Sequence, residues 1–376
     1  MKIGFEAKRA VENNTGLGNY SRYVIEALAT YYPDNEYLLF APKQITNTRL
    51  EKIYRQPNIK FIFPQGIAKI FSALWRHCGL AKPVAQSRVD IFHGLCNQIT
   101  VGLNVKSVVT IHDLIFLRYP QFYKPIDRLI YKWKFGYACR NADKIIAISE
   151  STKRDLQKFF QVPAKKIEVI YQGCHPAFAE EVSTTKKTAV LEKYQLPASF
   201  VLYVGSIEER KNLLLVVRAL QYLPQKIHLV AVGKKTNYQR IVEEQAKKFN
   251  LTERLHLLNN INFEDLPALY QLAKIFVYPS FFEGFGIPII EALSAGTPVV
   301  AAVGSCLEEA GGPNSIYIDP QSEAELANVL NDLLNNPTKC QQMIEAGKEY
   351  AKRFDAHKMA NNLISLYNSL LTTNPL

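Results

Sequence analysis

Residues 278–300 read YPSFFEGFGIPIIEALSAGTPVV. The stretch leaves an apolar strand pattern, passes through a loop containing Gly284, Phe285 and Gly286, and enters an apolar helix pattern. A proline in the first helical turn and a glycine at the end fit a short helix after the loop. Glycines before a helix N-terminus let backbone N–H groups approach a phosphate, and the helix dipole favours its charge. The stretch therefore predicts a strand, a phosphate-binding loop and a helix.

Two glutamates in this stretch point to a ligand. Glu291 lies among the apolar residues 289–293, and a buried unpaired carboxylate needs a hydrogen-bonding partner. A ribose diol would supply two donors. Glu283, on the loop, is placed to meet a sugar beyond the phosphates. The alternatives are a charge that stabilises the helix N-terminus for Glu283 and a structural hydrogen bond for Glu291.

A second strand-to-helix loop lies at residues 204–213, VGSIEERKNL. Gly205 ends the strand pattern, and Arg210 and Lys211 lie on the edge of the sheet where ligands bind. Adjacent cations can neutralise a diphosphate leaving group, a task that a metal ion performs elsewhere. The sequence has no Asp-x-Asp pair, so we expect no metal and no separate cofactor. The alternative is a solvated charged loop.

Short apolar runs alternate with amphipathic stretches along all 376 residues. This pattern predicts an α/β protein with parallel sheets, and its length exceeds the roughly 250–300 residues of one core. The aperiodic residues 181–187 predict a boundary between domains 1–180 and 188–355. We expect two doubly wound, Rossmann-like domains that face each other across a cleft. Helix 356–376 could pack against either domain, the first included. Strands are expected at residues 3–6, 37–40, 61–63, 91–92, 107–111, 144–148, 167–170, 200–204, 227–232, 255–258, 275–278, 298–302 and 316–318.

The net charge of +11 belongs to the first half of the chain. Residues 1–180 contain 26 Lys and Arg against 14 Asp and Glu, whereas the remainder contains 19 against 20. A basic domain indicates an anionic membrane surface or an acidic acceptor as partner. We expect no nucleic acid, because no recognised binding motif accompanies the charge. General solubility is the alternative.

Residues 67–77 and 121–137 mix cations with aromatic residues, as helices that lie on anionic bilayers do. The alternative is a core-facing helix with a charged outer face. No apolar run is long enough for a spanning helix, and the chain starts on a strand pattern without a signal peptide. We therefore expect a cytoplasmic protein, peripheral on the inner face of the cell membrane. The six cysteines lack C-x-x-C spacing and are expected to be reduced thiols without a metal.

These motifs resemble the retaining glycosyltransferases of family 4, which have the GT-B fold. The family signature is a glutamate pair separated by seven residues, which Glu283 and Glu291 match. Family members also carry a basic pair after the first strand of the second domain, and Arg210 and Lys211 match one common form of it. The resemblance covers nearly the whole chain, and it departs from the family at Ser206, where arginine is frequent. It extends to TGLGNY at 15–20, DIFHG at 90–94, TIHDL at 110–114, ADKIIAISES at 142–151 and SCLEE at 305–309.

The resemblance implies a nucleoside diphosphate sugar as donor and a glycan or lipid-linked acceptor. Gly16 and Gly18 would line the site near the diphosphate and the acceptor, although a simple turn is the alternative. His112, after strand 107–111, would hydrogen-bond the donor sugar together with Glu283. His93 has the same placement, but we expect it to be structural.

The form of residues 204–213 resembles bacterial O-antigen mannosyltransferases, which favours mannose carried by GDP. No second carboxylate is an obvious nucleophile, so retention of configuration by front-face attack is expected. A GT-B sugar-nucleotide epimerase and an inactive sugar-nucleotide-binding subunit stay open as alternatives.

Overall fold

The computed structural model describes residues 1–45, 48–66 and 74–372. The chain divides into two compact units. The first contains Met1–Gly173 and the chain from Ala356 onward, and the second contains Cys174–Asp355. The N-terminal segment of the first unit thus ends at Gly173, whereas the sequence predicted a boundary after residue 180.

The predicted aperiodic boundary at residues 181–187 is instead half helical. A helix runs over Thr184–Lys193, and the Ser183 side chain caps it by accepting a hydrogen bond from the Lys186 N–H at 3.3 Å. Asp265 anchors this helix, because Lys186 and Lys193 both pair with its buried carboxylate. The segment therefore belongs to the second unit.

The first unit is built on a fully parallel sheet. Its strand order is β3-β2-β1-β4-β5-β6-β7, so the chain leaves the central strand first in one direction and then in the other. The described strands are β1 Lys2–Glu6, β2 Glu36–Phe40, β3 Ile59–Ile62, β4 Ile91–Gly94, β5 Lys106–Ile111, β6 Lys144–Ala147 and β7 Ile167–Val169.

Helices lie in most of the connections between these parallel strands and supply apolar faces that cover the sheet, whereas residues 95–105, between β4 and β5, contain none. A π-helical turn, Trp75–Gly79, follows the undescribed residues 67–73, on which part of the predicted 67–77 helix falls. The described α-helices are α1 Lys8–Glu12, α2 Gly16–Tyr31, α3 Glu51–Tyr54, α4 Ala81–Gln86, α5 Ile115–Arg118, α6 Pro125–Asn141, α7 Glu150–Phe160 and the C-terminal helix Ala356–Thr372.

The second unit repeats the architecture with the strand order β10-β9-β8-β11-β12-β13. Its strands are β8 Phe200–Val204, β9 His228–Val232, β10 Leu255–Leu258, β11 Ile275–Tyr278, β12 Val299–Ala302 and β13 Ile316–Ile318. Its α-helices are α8 Thr184–Lys193, α9 Leu213–Ala219, α10 Gln239–Lys248, α11 Leu266–Leu272, α12 Ile287–Ala295, α13 Leu307–Gly311, α14 Glu323–Asn335 and α15 Pro337–Ala351. Both units are doubly wound and Rossmann-like, as the sequence predicted.

The C-terminal helix, which we number α16, packs on α2 in the first unit. Its buried Leu363 and Tyr367 join the core that α2 and the first sheet form. At its beginning, His357 meets the ring of Tyr31 edge-on, with centroids 5.0 Å apart. The chain therefore returns to the first unit after completing the second. No helix in the described part of the chain has the length and apolar character needed to cross a bilayer.

Candidate functional site

The loops after β8 and β11 lie side by side in the second unit. These strands are neighbours in the sheet, yet their connections run to opposite sides, to β9 and to β12. In a doubly wound sheet, the carboxyl ends at such a switch point form a crevice for ligands. Residues 205–212 and 279–286 border it, and these are the two loops that the sequence singled out.

A cluster of opposite charges joins the two loops. Glu283 reaches Arg210 Nη1 at 3.0 Å with one carboxylate oxygen and Lys211 Nζ at 3.2 Å with the other. Tyr278 donates its hydroxyl hydrogen to Glu283 at 3.2 Å and accepts a hydrogen bond from Lys211 at 2.9 Å. The side chains of Glu283 and Lys211 are each only 13% exposed, so the pair is screened little by water.

The two cations decide the protonation state of Glu283. Burial alone would raise the pKa of this carboxyl, but the charges of Lys211 and Arg210 outweigh it and lower the pKa to about 2. In turn Glu283 helps to raise the pKa of Arg210 despite the burial of the guanidinium. Glu283 is therefore a carboxylate at any physiological pH, and it cannot serve as a general acid.

The side chain of Asn212 fixes the loop after β8 against the loop after β11. Asn212, in the left-handed region at φ 56°, donates to the carbonyl oxygens of Pro279 at 3.2 Å and Pro320 at 2.8 Å. A Cβ atom on Gly233 would lie 1.7 Å from the Gly205 carbonyl oxygen, so the loops after β8 and β9 touch through their backbones. Position 233 therefore requires glycine if the backbone of Gly205 is to keep its place.

The glycine loop before α12 has the geometry that the sequence predicted. Gly286 is the N-cap of α12 with φ 144°, a conformation that other residues rarely adopt. The side chain of Phe285 is buried, and its ring packs edge-on against Phe354 with centroids 5.5 Å apart. Cys306 donates to the Phe285 carbonyl oxygen at 2.7 Å. Phe285 therefore fixes the loop, and Gly284 to Gly286 could meet a phosphate through their backbone only.

Glu291 lies on α12 and has a protein partner of its own. Tyr270 on α11 donates its hydroxyl hydrogen to Glu291 Oε2 at 2.8 Å. Burial raises the pKa of Glu291 to about 7, and the hydrogen bond from Tyr270 moderates the rise. The structural hydrogen bond considered for this residue is thus present, and it satisfies one of the two carboxylate oxygens.

Gly16 and Gly18 begin helix α2 in the first unit. A Cβ atom on Gly18 would lie 1.7 Å from the Asn13 carbonyl oxygen, so this position requires glycine, whereas Gly16 has open space around it. Buried Arg22 fixes the preceding loop by donating to the carbonyl oxygens of Ala10 at 2.7 Å and Asn13 at 2.9 Å. The segment is a fixed loop in front of a helix N-terminus.

His112 directly follows β5 and is held in one tautomer. Its Nε2 lies 2.9 Å from the Leu95 carbonyl oxygen, which can only accept, so Nε2 carries the hydrogen. Tyr20 supports the ring edge-on at 4.6 Å. Burial lowers the pKa of His112 to about 4. The neutral ring therefore offers Nδ1 as a hydrogen-bond acceptor, as contact with a sugar hydroxyl requires.

His93 is bonded at both ring nitrogens inside the first unit. Nδ1 lies 2.7 Å from the Tyr367 hydroxyl on α16, and Nε2 lies 2.9 Å from the Thr110 hydroxyl on β5. Burial lowers its pKa to about 3, which keeps the ring neutral. The expected structural role is met by this link between the C-terminal helix and the sheet.

Two family models together match most of the chain. Residues 15–178 match the model described as Glycosyltransferase Family 4, and residues 191–350 match Glycosyl transferases group 1. The chain belongs to these glycosyltransferases. The O-antigen chain mannosyltransferase B of Escherichia coli is 28% identical over 98% of this chain and 100% of its own length. The O-antigen chain mannosyltransferase RfbU of Salmonella typhimurium is 24% identical over 69% of each.

Solved structures support the fold of the glycosyltransferase. A glycosyltransferase from Rickettsia africae superposes with a TM-score of 0.78 at 19% identity, covering 99% of both chains. Anabaena HepE in complex with UDP-glucose superposes with a TM-score of 0.79 at 20% identity, covering 98% of this chain and all of its own. The fold is therefore that of the GT-B glycosyltransferases.

The glycosyltransferase brings together some predicted residues and separates others. Arg210, Lys211 and Glu283 form one cluster in the second unit, Glu291 has a different partner there, and His112 belongs to the first unit. The sequence did not assign a site role to Tyr278 or Tyr270, since a tyrosine inside an apolar strand or helix carries no signal that separates a polar role from packing.

Glu208 was also missed. Its carboxylate lies 3.1 Å from Arg210 Nη2 and accepts a hydrogen bond from Ser206 at 3.0 Å. Its position two residues before Arg210 could have drawn attention to it. Among the described residues Arg210 therefore pairs with two carboxylates, whereas Lys211 pairs with that of Glu283 only.

Proposed function

We propose that this glycosyltransferase moves a hexose, with mannose from GDP-mannose as the preferred donor, to a glycan or lipid-linked acceptor in cell-surface polysaccharide synthesis. The observation that carries the proposal is the cluster of Arg210, Lys211 and Glu283 at the switch point of the second sheet. The choice of mannose rests on the names of the O-antigen relatives, since none of these contacts distinguishes mannose from its epimers.

The donor would bind to the second unit. Its diphosphate would meet Arg210, Lys211 and the backbone of Gly205 and of Gly284 to Gly286. The second oxygen of Glu291 would accept a hydrogen bond from the ribose. Glu283 pairs with both cations of the cluster, so an incoming diphosphate would compete with it for them and leave Glu283 available to the hydroxyls of the sugar.

The transfer would retain the anomeric configuration. The bond from the anomeric carbon to the leaving phosphate oxygen breaks, the bond to the acceptor oxygen forms on the same face, and the acceptor proton passes to that phosphate oxygen. Glu283 is held as an anion by Arg210 and Lys211, so it stabilises positive charge developing on the sugar and protonates nothing. His112 would accept a hydrogen bond from a sugar hydroxyl through Nδ1.

The reaction would need no metal ion. Arg210 and Lys211 bring two positive charges to the place where the leaving diphosphate gains negative charge, the role that a divalent cation fills in other transferases. Transfer in the presence of excess EDTA is the expected result. Activity that falls with EDTA and returns with Mg²⁺ or Mn²⁺ would contradict this part of the proposal.

The enzyme would act on the cytoplasmic side of the membrane as a peripheral protein, with the acceptor on the basic first unit. The excess of cations in residues 1–180 would attract an anionic surface. Nucleic acid is not proposed as a partner. This placement puts the enzyme beside a lipid-linked acceptor.

The experiment that tests the function incubates purified protein with GDP-mannose, UDP-glucose or ADP-glucose, with and without an oligosaccharide acceptor. Slow hydrolysis of one donor without acceptor, and a glycosylated product with it, are expected. If the donor is converted to an epimer without acceptor, the protein is an epimerase and not a transferase. Failure to bind or turn over any donor would contradict the proposed function.

A further inference from the structure

The outward face of helix α6 carries an unusual number of exposed apolar side chains. Among the described residues thirteen large apolar side chains are exposed, and five of them lie between Ile126 and Trp133. Leu129 is 65% exposed and Trp133 is 52% exposed. A single exposed apolar residue is ordinary, but a contiguous apolar patch indicates a binding surface.

The spacing of these residues places four of them on one stripe of the helix. Ile126, Leu129, Ile130 and Trp133 follow the i, i+3, i+4, i+7 pattern of one helical face. The stripe spans about 10 Å along the axis at 1.5 Å per residue. We call it the outer stripe.

The fold itself does not need the outer stripe. Helix α6 packs on the first unit through a different face, where Phe135, Ala138 and Cys139 are buried. Phe135 meets Phe116 there at 5.0 Å between ring centroids. The expectation of a helix with a core face and a charged outer face is therefore only half met, because the outer face is apolar at its centre.

Cations border the outer stripe. Helix α6 and the residue before it contain five Lys and Arg against the one acid Asp127: Lys124, Arg128, Lys132, Lys134 and Arg140. The pKa of Lys134 is lowered by partial burial and by the positive charges of Arg76, Lys8 and Arg9, so these cations lie near Lys134.

The outer stripe is continuous with a second element. Trp133 lies against His77 of the π-helical turn, with ring centroids 4.9 Å apart. The exposed Leu74 immediately precedes that turn in the chain. An aromatic and aliphatic centre with a cationic border is typical of protein surfaces that lie in the interface of an anionic bilayer.

We propose that the outer stripe of helix α6 inserts into the headgroup region of an anionic phospholipid bilayer and holds the first unit on the membrane. This deepens the proposed function by naming the membrane-binding surface, but the binding itself requires neither donor nor acceptor. A second copy of the chain is the poorer partner, because pairing two outer stripes would bring two sets of five cations together.

The test uses the full-length protein and two kinds of vesicle, phosphatidylcholine alone and an equimolar mixture with phosphatidylglycerol. Binding to the mixed vesicles that weakens with added salt is expected. Leu129→Ser combined with Trp133→Ser should weaken it roughly tenfold or more, since two large apolar side chains no longer insert. Lys132→Gln should weaken it about fivefold.

A matched control removes exposed apolar residues elsewhere. Tyr222→Ser with Ile241→Ser changes two side chains of the second unit that are similarly exposed, and it should leave vesicle binding unchanged. Equal loss in control and stripe variants would overturn the proposal. Stripe variants that bind vesicles as well as the wild type would also overturn it. A third contradicting result would be a wild-type protein that is dimeric in solution and becomes monomeric only when the stripe is substituted.

The fluorescence of the unsubstituted protein gives a second measurement that does not depend on a variant folding. The chain contains two tryptophans, of which Trp75 is buried and Trp133 exposed. Brominated lipids should quench Trp133 in mixed vesicles. Vesicle binding without quenching would overturn the proposal. Donor hydrolysis measured without vesicles keeps a failure of the transfer function separate from a failure of membrane binding.

Discussion

Glu283 and Glu291 are separated by seven residues, but they lie in opposite electrostatic environments of the second unit. Glu283, in the loop, faces two cations, and its pKa falls to about 2. Glu291, in helix α12, faces the neutral hydroxyl of Tyr270, and its pKa rises to about 7. Burial raises the pKa of both carboxyl groups; at Glu283 the charges of Lys211 and Arg210 reverse the rise, whereas at Glu291 the hydrogen bond from Tyr270 only moderates it.

The difference assigns different tasks to one motif. A carboxylate that stays ionised can stabilise positive charge on the sugar throughout the reaction. A carboxyl group that titrates near neutral pH gains most from a ligand whose donors favour the anion. Predictions about the two residues should therefore differ in kind, in pH dependence and in size.

The largest expected effect comes from breaking the charged cluster. Lys211→Ala should lower turnover roughly 100- to 1000-fold, since it removes one preorganised cation from the leaving diphosphate. Steady-state kinetics with saturating donor would measure it. Lys274→Ala, an exposed lysine at the amino end of β11, is the matched control and should be near wild type.

Stability separates the catalytic role of Lys211 from a structural one. Lys211→Ala leaves Glu283 less compensated, which should lower the melting temperature. Turnover should stay low when it is measured well below that melting temperature, where the variant is fully folded. Turnover that returns to the wild-type value there would mean that Lys211 acts only by supporting the fold.

Glu283→Gln should nearly abolish transfer while strengthening the binding of bare nucleoside diphosphate. The substitution frees Arg210 and Lys211 from their carboxylate, so affinity should rise about threefold to tenfold at low salt, as titration calorimetry would show. Glu208→Gln, which frees only Arg210 from an exposed partner, should give a smaller rise. Loss of nucleotide binding by Glu283→Gln would contradict the division of tasks.

Donor affinity should depend on pH through Glu291. The ribose favours the ionised carboxylate, so affinity should rise with pH up to about 7 and fall about tenfold per unit below it. A nucleotide sugar is the right ligand, because its diphosphate does not itself titrate in this range. Glu291→Gln should remove the dependence, and an unchanged pH profile in that variant would exclude Glu291 as its source.

The stability of the unliganded protein should respond to Glu291 in the opposite sense. The folded pKa of about 7 lies above the ordinary 4.5, so the folded state holds this proton more tightly. Its contribution to stability is therefore fully present below about pH 4.5 and is lost as the pH rises through 7. Glu283, with its lowered pKa, contributes above pH 4.5 and loses that contribution as the pH falls towards 2.

The smallest expected effect comes from the partner of Glu291. Tyr270→Phe removes the hydrogen bond that moderates the pKa, so the midpoint of donor affinity should move up by about one pH unit. Affinity at high pH should change little. Tyr350→Phe, whose hydroxyl bonds a backbone carbonyl in the same unit, should leave the midpoint in place.

All the strands and the parallel character of both sheets could be predicted, because short apolar runs between amphipathic stretches report burial directly. Every predicted strand has a counterpart, and no strand end differs from its predicted position by more than about two residues. The sequence predicted an aperiodic boundary at residues 181–187, but a helix that Ser183 caps and Asp265 anchors begins within it. Its first residues are lysines and threonines, which give no apolar periodicity by which the helix could be recognised.

The sequence named the residues of the candidate site but not the contacts between them. Arg210 and Glu283 were both named, yet their pairing joins two loops that are far apart in the chain and depends on the strand order of the sheet. The tautomer of His112 depends on the carbonyl of Leu95, and Glu291 on the hydroxyl of Tyr270. Such partners come from packing, which a local pattern does not encode.

The most direct test of the diphosphate site is a thermal-shift measurement with GDP, UDP and ADP in EDTA, on the wild type and on Arg210→Ala combined with Lys211→Ala. Ligand binding raises the melting temperature by mass action. At least one nucleotide should raise that of the wild type, and the double variant should show no rise at the same concentration. An equal rise in both proteins would contradict the assignment of Arg210 and Lys211 to the diphosphate.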